Sequence, residues 1–179
     1  MPTKFHPLLV AIHWIMAFMI IMLLLAGTLF LEPLANDDPQ KIEGLFGHMI
    51  FGVSVMILLI IRFVTRLRSD KPAHAATGNA LLDKVGVWTH WLFYPLIFLA
   101  AGSGMAMSAM AGLPDIVFFG SGDPLPASFW EYPPRYMHAV ATKALGALIV
   151  LHIAAALWHQ FVKRDGLLGR MWFGRRKAS

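Results

Sequence analysis

The sequence of 179 residues contains no cysteine. That absence removes disulfide frameworks, iron–sulfur clusters and thiolate zinc sites. It also removes covalent haem attachment through a C-x-x-C-H motif. Charge is scarce too: 14% of residues are charged and 58% hydrophobic, whereas a soluble domain is nearer a quarter charged and half apolar. Soluble, disordered and fibrous classes are thereby excluded, and the chain is read as an integral membrane protein. Any metal or haem has to be held by His, Met or carboxylate, and histidine is plentiful, at eight.

The apolar residues gather into four runs, 8–31, 44–65, 85–110 and 137–162. Each exceeds the ~20 residues a helix needs to cross a ~30 Å hydrocarbon core. The first is longer than the ~7–15-residue apolar core of a signal peptide, so it is read as a retained span. Residues 32–43 read as a short polar turn and 66–84 as a basic loop. Residues 111–136 hold Pro114, Pro124, Pro126, Pro133 and Pro134, through which no long helix continues. Within that stretch, Ile116 to Phe119 and the aromatics Trp130, Tyr132 and Tyr136 predict interfacial placement. Pro95 predicts a kink in the third span. No repeat or boundary interrupts the chain, and 1–179 is read as one transmembrane domain.

Basic residues set the expected orientation. Twelve Lys and Arg flank one side of the spans, while only Lys41 and Arg135 flank the other, together with seven acidic residues. The positive-inside rule then puts both termini in the cytoplasm. The basic balance is explained by topology and contact with anionic lipid, and nucleic acid is not required as a partner.

Six of the eight histidines, His13, His48, His90, His138, His152 and His159, fall in or at the edge of a span. One such residue is ordinarily a hydrogen-bonded bridge between helices. Six together point to function, because ionisable groups in the hydrocarbon are costly. His138 and His152 are fourteen residues apart, ~21 Å along a helix and on one face. His48 is expected level with His138 at the outer side, and His13 level with His152 at the inner side. Two stacked imidazole pairs suit two b-type haems, each iron taking two axial nitrogens. Zinc is the weaker rival, since it wants a closed tetrahedral shell.

Around these pairs two readings stay open. Gly44 and Gly52 flank His48 on one face, as a flat ligand or ordinary small-residue packing would require. Arg62, fourteen residues after His48, is either a haem propionate partner or a positive-inside anchor. His90 and His159 are either quinone-site or proton-relay groups beside the inner pair, or interfacial anchors.

The sequence also resembles the bacterial cytochrome b561 family, relatives of the di-haem cytochrome b subunits of hydrogenases and formate dehydrogenases. The resemblance rests on HPLLVAIHW, GHMIFGVSVMILLIIRFVTRL, THWLFYPLIFLAAGSGMAM and MHAVATKALGALIVLHIAAALWHQFVKRDGLLGRM, one per span. It implies an all-α four-helix bundle in the bacterial inner membrane, with two haem b bound by His13, His48, His138 and His152. It further implies electron exchange between the quinone pool and a partner, as a stand-alone cytochrome or as the anchor subunit of a larger oxidoreductase. One branch of the family oxidises superoxide and reduces ubiquinone. Attraction of that anion would favour a positive outer face, which the two basic and seven acidic outer residues oppose.

Overall fold

The computed structural model describes residues 2–70, 72 and 79–174. Lys71, Arg175, Arg176 and Lys177, counted in the charge argument, and His74 lie outside them. The long elements are all helices: α1 (Pro7–Ala26), α2 (Pro39–Arg68), α3 (Ala80–Met110) and α5 (Pro134–Trp158), with a short α4 (Leu113–Val117). α1 and α5 run on into π-helical turns, Gly27–Leu31 and His159–Lys163.

The helices extend beyond the apolar runs because the flanking residues start helices well. Asp38 accepts from Gln40 N at 2.9 Å and is followed by Pro39, a proline at the first helical position where no donor is lost. Asn79 accepts from Leu81 N and Leu82 N ahead of α3. Part of each supposed connection is therefore helical, Pro39–Glu43 among it. Four helices, Pro7–Leu31, Pro39–Arg68, Ala80–Met110 and Pro134–Lys163, are long and apolar enough to cross a membrane.

Their outward faces carry large apolar side chains, including Phe18, Leu29, Val140 and Val150, each about two-thirds exposed or more. Water would not tolerate that surface without aggregation; lipid does. The inward faces repeat every seven residues, two turns and ~10.5 Å. Ile20, Val55, Ile97 and Leu145, one from each spanning helix, belong to one buried cluster. Seven residues from them in one direction stand His13, Arg62, His90 and His152, and in the other Gly27, His48, Gly104 and His138. The chain ends meet beside the first set, Phe5 N donating to the Arg170 carbonyl at 3.2 Å. We call that set the proximal layer and the other the distal layer.

The connection after α3 packs back against the bundle. Gly112, at φ +63°, turns the chain, and Leu113, Ile116, Val117 and Leu125 bury themselves against Leu31 and Leu45 as a lid on the distal end. Phe119 alone of the Ile116–Phe119 stretch stays largely exposed, at 80%. Burying these four aliphatic side chains is favourable.

Candidate haem sites

In the distal layer α2 supplies His48 and α5 supplies His138, with ring centres 6.3 Å apart. In the proximal layer α1 supplies His13 and α5 supplies His152, with ring centres 6.4 Å apart. A metal shared by two imidazoles sits ~2 Å from each nitrogen and hence ~3 Å from each ring centre. Both separations match that span. They are too long for a hydrogen bond between the rings, and among the described residues neither pair forms one.

The distal pair shows further signs of a missing partner. His138 Nδ1 donates to the Ala100 carbonyl at 2.8 Å. A carbonyl only accepts, so the proton is on Nδ1 and the Nε2 lone pair is free to ligate, the orientation that ligating histidines are usually given. His48 Nδ1 is buried with no hydrogen-bond partner among the described residues, a state that costs ~1–3 kcal/mol if nothing else compensates. A cavity between the rings is lined by Gly52, Ile97, Ala100, Thr142 and Leu145.

Glycine keeps space open beside a histidine ring here, most tightly at Gly104 and not mainly where the sequence suggested. A Cβ at Gly104 would stand 3.2 Å from the His138 ring, and one at Gly27 would stand 3.5 Å from His48 Cε1. Gly52 borders the cavity. Gly44 instead faces Leu31, whose Cδ2 a Cβ would meet at 2.7 Å, so it serves helix packing. Sequence reasoning missed Gly27 and Gly104 by looking along the His48 helix. Their signal was the fourteen-residue spacing from His13 and His90.

The proximal layer is more crowded. Around His152 stand His13, His90 at 5.3 Å and Phe93 at 5.3 Å between ring centres. His90 Nδ1 donates to the Gly86 carbonyl at 2.7 Å, leaving its Nε2 free. Arg62 donates to the Leu9 carbonyl at 2.7 Å, which brings its charge into electrostatic reach of His13, His90 and His152. His159 belongs to another set of contacts: its Nδ1 meets Asp165 Oδ2 at 2.5 Å, and its ring packs on Trp158. Among the described residues no three His, Asp or Glu side chains converge on a metal-sized site, which disfavours zinc.

Two imidazole pairs at two depths in an apolar helical bundle define a class, the multi-pass membrane cytochromes. The family model described as prokaryotic cytochrome b561 matches residues 4–174, and the chain belongs to that family of membrane electron-transfer proteins with haem b in the bacterial inner membrane. It is 27% identical to cytochrome b562 of Cereibacter sphaeroides over 90% of each chain. It is 26% identical to cytochrome b561 homolog 2 of Escherichia coli, covering 95% of this chain and 92% of the relative. A Yersinia pestis protein named "Probable superoxide oxidase CybB" is 24% identical, covering 96% and 97%.

Proposed function

We propose that this chain, as a single domain with both termini in the cytoplasm, carries electrons across the membrane through two b haems and exchanges them with the quinone pool. The observation that carries the reading is the pair of ring separations, 6.3 and 6.4 Å, at two depths of one bundle. His48 and His138 hold the distal haem, and His13 and His152 the proximal one. Bound haem supplies a reversible one-electron iron couple. Two protein nitrogens per iron leave no position for oxygen, so the residues confine the chemistry to electron transfer.

The remaining polar groups act beside the proximal haem. Arg62 balances a haem propionate and favours the reduced iron by its charge. His90, with Nε2 free, is placed to hydrogen-bond a ubiquinone carbonyl and deliver a proton from the cytoplasmic side. His159, one register step beyond His152, is the group through which that proton is replenished.

A reduced-minus-oxidised spectrum with a haem assay tests the reading. Two b haems per chain are expected, falling to one in His48→Leu or His13→Leu. A colourless protein, or variants that keep both haems, would sink it. The second reading takes superoxide as the periplasmic donor, favoured by the name of the Yersinia pestis relative. Stopped-flow mixing decides it: haem reduction near the diffusion limit and slowed by salt supports it, and slow salt-insensitive reduction discards it. Subunits that co-purify would instead indicate an anchor in a larger oxidoreductase.

A further inference from the structure

The seven-residue register continues one step past the distal layer, to Lys41 before His48 and Leu34 after Gly27. Lys41 is buried, with 6% of its surface exposed. Its ammonium donates to the Leu34 carbonyl at 2.5 Å and lies 5.8 Å from the centre of the Phe129 ring. Arg135, three residues before His138, lies 4.5 Å over the neighbouring ring of Trp130. The 3-10 turn Phe129–Glu131 thus sets one ring against each cation. The two cations are close enough for Arg135 to act electrostatically on Lys41.

Charge at this spot is not balanced by the protein. Among the described residues the one carboxylate paired with either cation is that of Glu32, 4.0 Å from Arg135 and itself 53% exposed. An ammonium offers three donors, one of which Lys41 gives to the Leu34 carbonyl. Both cations also occupy the first turn of a helix, where the macrodipole is already positive and favours an anion. Two like charges at two helix N-termini favour an anion beside them.

We propose that Lys41 and Arg135 bind the carboxylates of the group held between His48 and His138, the propionates of the distal haem. Along their helices the two residues stand ~10.5 and ~4.5 Å beyond those histidines, both towards the distal end of the bundle. The proposal rests on the distal ligand assignment above. The competing source of the same chemistry is a free anion from the periplasm.

The test is potentiometric titration of the purified holoprotein and its variants. The distal wave is first identified as the one that His48→Leu removes; if neither wave disappears, the ligand assignment has failed and not this inference. Lys41→Met and Arg135→Gln are each expected to move the distal wave to lower potential, because losing a positive charge favours ferric iron, while the proximal wave stays in place. Lys41→Arg should restore most of the shift, which a purely structural role for the side chain would not do. Changing the chloride or phosphate concentration should leave the wild-type distal wave unmoved. A distal wave unaltered in both variants at full haem content overturns the proposal. So does a wild-type potential that tracks added phosphate or chloride and ceases to do so in Lys41→Met, since that assigns the site to a free anion. Should Lys41→Met fail to accumulate, Arg135→Gln carries the test alone.

Discussion

The two layers repeat one spacing with opposite fillings. On α1 and α3 the proximal positions are His13 and His90, whereas the distal ones are Gly27 and Gly104. α2 reverses this, with Arg62 proximal and His48 distal, and α5 places a histidine at both levels. The distal layer therefore has two imidazoles facing two residues without side chains. The proximal layer has two imidazoles, a third that touches one of them, and a guanidinium. Equal geometry with unequal surroundings suits the proposed relay, whose two ends would do different work: one layer is walled by glycine, and the other is crowded with imidazoles and a guanidinium.

The largest effect is expected from filling the distal wall. Gly104→Leu drives a side chain into the His138 ring, which already stands 3.2 Å from where the first added carbon would sit. Haem content should fall from two per chain to one, with the proximal component of the spectrum intact. Gly44→Ala is the control, since its added carbon meets the flexible end of Leu31 and the Phe30 ring, and no histidine. It should cost ~1 kcal/mol of stability and no haem. Equal loss of both haems in Gly104→Leu would show that the layers are not independent.

Arg62→Gln asks what the proximal charge does. Losing the guanidinium leaves the Leu9 carbonyl without its 2.7 Å donor, at ~1–3 kcal/mol of stability. The proximal wave should fall in potential while the distal one holds. A shift of both waves by the same amount would mean that Arg62 acts at long range and belongs to neither layer.

Much of this arrangement was legible from sequence because period and depth are rigid in a spanning helix. Fourteen residues return a helix to nearly the same face two layers away, so His138 and His152, and His48 and Arg62, could be placed without coordinates. What sequence could not supply was contact across helices. Gly104 matters because it faces a ring on α5; its spacing from His90 marks the layer but not that contact. Gly44 looked equally useful and packs on Leu31. The packing of the lid after α3 was hidden for a similar reason: prolines end helices, but what Ile116 and Val117 then pack against depends on where the chain turns at Gly112. Lys41 and Arg135 were legible only as the two basic residues of an acidic side. Their convergence needed the turn at Phe129 and Trp130.

His90 gives a sharper division between the layers. His90→Phe keeps a ring against His152, now 5.3 Å away, and removes the nitrogen. Both haems should be retained, and haem reoxidation by ubiquinone should slow ~100-fold or more, the usual worth of a positioned acid–base group. An unchanged rate would return His90 to the role of a packing residue and make the proximal layer chemically as plain as the distal one.

The smallest effect is expected beyond the proximal layer, at Asp165. Partial burial pushes its carboxyl up, but hydrogen bonds from His159 and from the Leu167 amide outweigh that and hold it below the usual carboxylate range. A carboxyl depressed in the folded state adds stability above its unfolded value of ~3.9 and loses it as pH falls through the folded value. Asp165 is about a third exposed, at 32%, so screening keeps the contribution under ~1 kcal/mol. Asp165→Asn should therefore lower the melting temperature slightly at neutral pH, and the difference from wild type should vanish in strong acid. Both haem waves should stay in place, because the contact lies one register step outside the layer that holds His13 and His152. A shift of the proximal wave in Asp165→Asn would extend that layer to the membrane surface and make His159 part of its electrostatics.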